Sequence, residues 1–418
     1  MSSPDDRIPK NLPARLLKAF NARNRNSLPP KEDLPTHLSE IKSRALRALG
    51  SVKPADQSTK ADKAFLFNAK RTKAGGGLPP FYLVYFLLVD LLGFKNLGMF
   101  EKVSWSVPID YLGTAYLIEH RKLGLGVFAA GENQDEVNAS EIVVRITKAV
   151  KAAEPFFDWL AEEAVKRSEL NVVNKSSELF QRYIYLRDSY REKAAEAILR
   201  KDERIVSQVK TWTSVSFPAL RIHKEASWLA LSAVEAFFSW TEHVLIHVAI
   251  LSGHISSGVE VTALAQADWS AKFKQSLDIQ HPQTKKIFDR LVLLRNELRN
   301  YVAHGAFGKQ GEAFSFHSGA GAAPLLLPHK RNSRKFSLGS GLAFDFPAAI
   351  DTTEEFVLHL WSGDFAPAEM YIQQSYLPVF LIFAADGSYA HAMQSLEKME
   401  SFIDELTTQA DRAANMDW

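Results

Sequence analysis

The chain has 418 residues, of which 46% are hydrophobic and 23% charged, so its composition indicates a folded globular protein and excludes a disordered or fibrous one. At that length we expect two or three domains. Cysteine is absent, which excludes disulfide scaffolds, thiolate metal sites and cysteine nucleophiles. The net charge of +2 is unevenly distributed along the chain. Residues 1–75 hold 16 Lys and Arg against 7 Asp and Glu, whereas the remaining residues have a net charge of −7. A basic end is compatible with an anionic partner and equally with a solvated arm.

The first segment, residues 1–78, is predicted to be a basic arm and hinge. It mixes Pro, Ser, Lys and Asn, contains one helical stretch at 34–49, and closes with Gly75 to Gly77. Its first thirty residues lack the apolar run of a secretory signal, so we expect a cytoplasmic protein. The apolar run 81–89 is too short to cross a bilayer and predicts a buried helix, and no membrane partner is expected.

Residues 79–138 are predicted to form a small α+β module. Apolar residues alternate with polar ones from Val103 to Tyr111, which is the period of a half-buried strand. Leu112 and Gly113 supply a turn, and the stretch from Tyr116 to Phe128 predicts a second strand interrupted by glycines. Residues 139–215 then show helical periodicity and are predicted to be a helical connector.

Within that connector, one helix at 177–199 carries a single apolar stripe on an otherwise charged surface. Two interpretations remain open for it. The stripe suits a connecting or dimer-forming helix, and it suits equally a helix that packs within one chain.

The last segment, residues 216–418, is predicted to be a helical domain. Helices are expected at about 225–251 and after Pro282, with Gly305 placed to end the second. A β-hairpin insertion is expected at about 310–347, and a capping pattern then predicts that helices resume at Asp351, Thr352, Glu354 and Glu355. Trp228, Phe237, Phe238 and Trp240 are interpreted as core residues. The predicted fold class is therefore mainly α with a smaller α+β part.

The helix after Pro282 ends in the sequence Leu-Arg-Asn-Tyr-Val-Ala-His-Gly, residues 298–305. At 100° per residue, its apolar stripe centres on Leu298, whereas Asn296, Asn300 and His304 lie on the opposite side and Arg299 lies about 100° away. Asn300 and His304 are one turn apart, close enough for the amide to orient the imidazole. Arg299 adds a permanent planar cation that suits a phosphate.

This pattern resembles the active-site motif of the HEPN superfamily, whose ribonucleases carry an Arg, a polar neighbour and a His a few residues later at the end of a helix. The resemblance covers the motif and its flanking helices, about 225–305. It implies a C-terminal HEPN-like helical bundle, with Arg299, Asn300 and His304 as catalytic residues. Glu235, Asn296 and Arg295 are candidate supporting residues. An alternative that stays open is that Glu235 pairs with Arg295 or Arg299.

The resemblance implies metal-independent RNA cleavage without a cofactor. The 2′-hydroxyl of the RNA attacks the adjacent phosphorus, the histidine moves a proton, and the arginine stabilises the developing charge. HEPN nucleases place two motifs face to face, so we expect a homodimer with a composite site. The basic loop residues Lys330, Arg331, Arg334 and Lys335 are predicted to contact the RNA. The N-terminal region would receive a regulatory or trigger partner, in a toxin-like or antiphage role.

Three alternatives are weighed against this hypothesis. Asp110 and Glu119, with the sequence His-Arg-Lys at 120–122, loosely resemble a metal-dependent nuclease core, but the spacing is poor and a charged sheet edge is favoured. His243 and His247, next to Glu242, have metal-like spacing without an evident third ligand, which favours structural histidines. The third is a non-catalytic HEPN-like scaffold that dimerises or binds a nucleotide. Gly75 to Gly77 lacks the Gly-Lys-Ser/Thr ending of a phosphate loop.

Overall fold

The computed structural model describes residues 38–415, apart from 57–58, 60–62, 100–101, 132–133, 210–211, 305–313, 327–336 and 339–343. It describes the backbone of residues 300–304. The described chain divides by its contacts into two compact units. The first runs to Glu169 and includes the residues from Thr408 onward, and the second is Leu170–Thr407. The predicted connector therefore divides, since its helices before 169 belong to the first unit.

The first unit combines a five-stranded sheet with helices. Its helices are α1 Leu38–Leu49, α2 Lys63–Asn68, α3 Phe81–Tyr85, α4 Asp135–Ala152 and α5 Glu154–Lys166, with a 3₁₀ turn at Ala74–Gly77 and a π-helical turn at Phe86–Leu91. Its strands are β1 Val52–Pro54, β2 Lys70–Arg71, β3 Val103–Tyr111, β4 Thr114–Arg121 and β5 Gly124–Ala129. The sheet is antiparallel in the order β1-β3-β4-β5-β2.

One face of this sheet packs on the helices to form the core of the first unit. The strand predicted at Val103–Tyr111 is confirmed, and Val107 and Ile109 are fully buried against residues such as Ile142 of α4 and Leu87 of the π-helical turn. Its polar side is only partly open, since Ser104 and Ser106 are buried as well. Helix α1 joins the same core through Ile41, Ala45 and Leu49. Residues 38–78 are therefore part of a folded unit.

Two predictions for the first unit are wrong. The stretch 116–128 is two strands, because the chain turns at Lys122 and Leu123 and resumes at Gly124 with a φ of +95°. The predicted glycine hinge is a 3₁₀ turn in which Gly75 is buried, and Thr72 Oγ1 accepts a hydrogen bond from the Gly75 N–H at 3.2 Å.

The second unit is mainly helical. Its longer helices are α6 Ser176–Leu199, α7 Pro218–Leu251, α8 Gly258–Gln266, α9 Trp269–Ser276, α10 Pro282–His304, α11 Phe346–Leu360 and α15 Leu396–Asn415, which continues past Thr407. The short ones are α12 Ala366–Glu369, α13 Leu381–Ala385 and α14 Ser388–Ala392, with a 3₁₀ turn at Gly363–Phe365 and a π-helical turn at Met370–Gln374. Its strands are β6 Asn171–Val172, β7 Ile205–Val209, β8 Trp212–Ser216, β9 Phe314–Ser318, β10 Gly321–Leu326, β11 Ser337–Leu338 and β12 Val379–Phe380.

Aromatic side chains form the centre of the second unit. Phe237 and Trp240 of α7 are buried and lie against Phe356 of α11, while Tyr183 of α6 packs on Phe237. Tyr183 also shares a 2.8 Å hydrogen bond with Thr353 of α11. The apolar stripe of α6 therefore packs within the chain, which is one of the two interpretations left open for it.

Trp228 is not a core residue. More than half of its side chain is exposed on α7, whereas Phe237, Phe238 and Trp240 are buried as predicted. The predicted helix start at Asp351 is also wrong, since α11 begins at Phe346. Its N-cap is Asp345, whose Oδ1 accepts a hydrogen bond from the Ala348 N–H at 3.0 Å.

The β-hairpin insertion after α10 is present as β9 and β10, with β11 added beside β10. Gly305 and the basic loop at 330–335 lie outside the described residues. Among the described helices, α7 is long and apolar enough to cross a bilayer, but most of its apolar window is buried inside the protein, as is usual for a core helix.

Candidate active site on the motif helix

Helix α10 carries the sequence motif, and its apolar stripe fixes which side faces the core. Ile287, Leu291, Leu294 and Leu298 recur at steps of three and four residues along it, and all four are buried. The helix begins at Pro282, a residue whose fixed φ suits a first helical position, and it is continuous to His304. The motif therefore lies on the last two turns of a helix that is held in place by four buried side chains.

The motif residues whose side chains are described lie away from the core. Asn296 and Arg299 are exposed, as the helical wheel predicts. Asn300 and His304 follow Asn296 at steps of four residues, so the backbone places all three on one side of α10. The side chains of Asn300 and His304 are not among those that the structure describes. The last turn of a helix carries partial negative charge from its unpaired carbonyl groups, which favours a cation there.

Arg295 connects the motif helix to its neighbours. Its Nη2 lies 3.2 Å from Oε1 of Glu242 on α7, and its guanidinium lies 5.7 Å from the ring centre of Trp269. Lys272 of α9 is buried and forms an ion pair with the same Glu242 carboxylate. Arg295 is thus half-exposed but fixed by a carboxylate and an aromatic ring, one turn before Arg299.

Of the three supporting residues considered for this site, Arg295 and Glu235 do not form a pair. Arg295 pairs with Glu242, and Glu235 is exposed on α7. Glu242 lies seven residues after Glu235, which is a rotation of only about 20° around a helix. Periodicity alone therefore does not distinguish the two acids, and sequence reasoning missed Glu242 as the partner of Arg295.

The alternative metal-dependent site on the sheet does not assemble. Asp110 lies opposite Ala115 and Glu119 lies opposite Ser106, so the two acids are separated by roughly 13 Å along the strands at about 3.3 Å per residue. Glu119 is buried, where it accepts hydrogen bonds from Ser106 Oγ and Arg121 Nε, both at 2.7 Å. Asp110 accepts instead from Thr59 Oγ1 at 3.0 Å. Each acid has a separate structural role.

The histidine pair on α7 is also structural. His243 Nε2 accepts a hydrogen bond from the Lys175 N–H at 2.9 Å, and its ring centre lies 4.3 Å from that of His247. Burial, with a smaller contribution from the neighbouring His247, lowers the pKa of His243 to about 3, so the ring is neutral at physiological pH. Within the described part of the chain, no group of three His, Asp or Glu side chains is placed to hold a metal ion.

The arrangement on α10 is suited to phosphate chemistry rather than to metal binding. It offers an exposed arginine, a second arginine held one turn earlier, and an amide and an imidazole position one turn apart at the end of the helix. These groups can bind a phosphate, stabilise charge on its oxygens and move a proton. No protein-family model, curated protein or solved structure matches the chain.

Proposed function

We propose that this protein is a metal-independent endoribonuclease of the HEPN type, in which Arg299, Asn300 and His304 form the active site. One observation supports it above the others: α10 is a continuous helix whose buried stripe fixes Arg299 and Asn296 on the exposed side. An RNA strand therefore has access to the arginine without any rearrangement of the core.

In this proposal the RNA supplies its own nucleophile. The 2′-hydroxyl attacks the neighbouring phosphorus, His304 transfers a proton and Asn300 orients its ring. Arg299 stabilises the negative charge that develops on the phosphorane oxygens. The reaction leaves a 2′,3′-cyclic phosphate and a 5′-hydroxyl, and DNA is not cleaved because it lacks the nucleophile.

The site becomes complete in a homodimer. In-line attack and departure need a base and an acid on opposite sides of the phosphorus, and one chain supplies a single His304. Two copies that turn the exposed faces of α10 toward each other bring two such histidines to one phosphate. We place the protein among regulated, toxin-like or antiphage effectors, with the N-terminal region as the receiver of the trigger.

The proposal is tested by incubating single-stranded RNA with the protein in excess EDTA and identifying the product ends by mass. We expect the wild type to cleave and the Arg299→Ala/His304→Ala variant to be slower by at least about 100-fold, the contribution of a general acid–base group. The matched control is Arg182→Ala/His254→Ala, which removes the same residue types from exposed positions elsewhere in the second unit.

Two results would contradict the proposal. The first is cleavage that requires Mg²⁺ and survives the double substitution. The second is an inert wild type that binds a nucleotide with an affinity that the same double substitution lowers, which would favour the non-catalytic scaffold.

A further inference from the structure

A concentrated apolar surface lies where α6 and α7 are joined by the β7–β8 hairpin. Nine large hydrophobic side chains within 31 residues of chain are exposed there, and Leu199 and Leu220 are 86% and 69% exposed. We call this surface the tip patch, and its members are Ile198, Leu199, Ile205, Val206, Trp212, Val215, Phe217, Leu220 and Trp228. Single exposed hydrophobic residues are ordinary, but nine on four consecutive elements are not.

The hairpin in the middle of the tip patch packs on neither face. Val206 lies opposite Val215, and Ile205 lies opposite Ser216. Because alternate residues of a strand point to opposite sides, Val206 and Val215 share one face, while Ile205 and Trp212 share the other. All four side chains are exposed, so both faces are open. An isolated two-stranded sheet is only marginally stable in water, which means that a partner would stabilise it.

The edges of the hairpin are unprotected as well. In the part of the chain that the structure describes, neither β7 nor β8 pairs with a third strand. Soluble proteins guard such edges with charges, prolines or bulges. The sequences Ile-Val-Ser-Gln-Val at 205–209 and Trp-Thr-Ser-Val-Ser at 212–216 contain no charged residue and no proline. Unpaired strand edges of this kind are suited to pairing with another chain.

Several of the cations around the tip patch already have partners within the chain. Arg200 pairs with Glu203 at 2.5 Å and with Glu196 at 3.2 Å. Two further cations lie over aromatic rings of the patch itself, Arg204 at 6.0 Å from the ring centre of Phe217 and Lys224 at 5.5 Å from that of Trp228. These cations are engaged locally, and the surface that they border is apolar.

We propose that the tip patch is an interface with a second copy of this chain. One partner covers the five exposed side chains at the helix ends and the two on one face of the hairpin. At about 150 Å² each, the low end of what an aromatic side chain buries, their exposed fractions leave roughly 600 Å² accessible. That area is of the same order as the about 800 Å² per partner that a stable dimer buries. The same uncharged edges and apolar faces exist on every copy, so two patches complement each other about a two-fold axis. A second copy is therefore a partner that matches the patch in both chemistry and area.

This interface is distinct from the exposed face of α10 and does not rest on the ribonuclease proposal. Leu220 at the tip and Glu242, which contacts the motif helix, are 22 residues apart on α7, a distance of about 33 Å at 1.5 Å per residue. Self-association can be measured without RNA, and its loss on substitution of tip-patch residues bears on the tip patch and not on α10.

The test is the mass of the full chain in solution, measured by sedimentation equilibrium over a range of concentrations. We expect the wild type to associate, as a dimer through the tip patch or as a larger species where the faces of α10 pair as well. Leu199→Gln/Leu220→Gln is expected to have a lower mass at the same concentration, with the tip-patch association at least about tenfold weaker. Both leucines are largely exposed, so the change leaves the core intact, and far-ultraviolet circular dichroism checks this. The matched control is Leu358→Gln, since Leu358 is 75% exposed on α11, and it is expected to associate as the wild type does.

A second readout uses the absence of cysteine from the chain. Val206→Cys introduces a single thiol at the tip patch and Leu358→Cys introduces one away from it. We expect a short bis-maleimide to convert the first variant, and not the second, into a covalent dimer. The proposal is overturned by a wild type that is monomeric at every concentration, whether or not it binds RNA or lipid vesicles. Equal association of wild type and the double variant, or equal cross-linking of the two thiols, overturns it too.

Discussion

Asp90 is a half-buried carboxyl group in the π-helical turn of the first unit. Burial raises its pKa from the ordinary value of 3.8 to about 6. The charged form loses hydration there, and the nearby Tyr85 has a raised pKa for the same main reason. Asp90 therefore weakens the fold at neutral pH, where the carboxylate must be ionised in a poorly solvated position.

The sign of the pH dependence follows from these two pKa values. Below about pH 4 the folded and unfolded forms both hold the proton, and between 4 and 6 only the folded form does, so stability falls as pH rises through this window. We expect Asp90→Asn to raise the free energy of unfolding at pH 8 by about 2 kcal/mol and to change it little at pH 4. Urea unfolding of both proteins at the two pH values measures this, and an equal effect at both would show that ionisation of Asp90 is not the cause.

At the candidate site, the sequence predicts which residues are exposed but not which residues pair. The wheel position of Arg299 and Asn296 was predictable, because four apolar residues at three- and four-residue steps determine which side of α10 is buried. The carboxylate partner of Arg295 was not, since it depends on how α7 and α10 meet. Long-range pairs of this kind are set by packing geometry, and a single sequence carries no signal for them.

At the scale of elements, the 3₁₀ turn at Ala74–Gly77 offers a matched pair of glycines. A Cβ atom on Gly75 would lie 2.4 Å from the backbone nitrogen of Val127, whereas one on Gly76 would meet nothing within 4 Å. Both substitutions to alanine restrict the unfolded chain equally. We expect Gly75→Ala to destabilise the protein by about 2 kcal/mol through overpacking against a strand that has no room to move, and Gly76→Ala to be neutral or slightly stabilising.

Thermal or urea unfolding of the two variants beside the wild type measures this difference. Equal stability of Gly75→Ala and Gly76→Ala would contradict the close approach of this turn to β5. In the sequence, the three consecutive glycines stand out only by their composition, and such a run is typical of a hinge. The contact that makes Gly75 necessary comes from a strand about fifty residues later.

Elements with strong periodicity were predictable and their junctions were not. Period two located β3 and helical steps located α6, α7 and α10, because each buries one face against a core. The turn at Lys122 and Leu123 was missed. The strands before it and after it both carry apolar residues, so the two strands were interpreted as one strand with an interruption. The start of α11 was missed because two capping patterns lie six residues apart, and Pro347 favours the earlier one at Asp345.

At the scale of the whole molecule, most of the basic excess of the N-terminal end lies in a segment that belongs to a folded unit. Residues 38–75 hold 9 Lys and Arg against 3 Asp and Glu, and their described portion contributes α1, β1, α2 and β2 to the first unit. Residues 1–37, which lie outside the description, hold a smaller excess of 7 against 4. Two thirds of the basic excess of residues 1–75 therefore belongs to the segment that contributes elements to the first unit.

The two units have separate hydrophobic cores, so we expect them to unfold as two cooperative transitions. Gly75→Ala acts in the first unit and should lower one transition only. Phe356→Leu acts in the second, where Phe356 is fully buried against Phe237, Trp240 and Phe273, and should lower the other by about 1 kcal/mol. Differential scanning calorimetry of the wild type and the two variants resolves the transitions. A single transition that both substitutions shift equally would mean that the two cores unfold together.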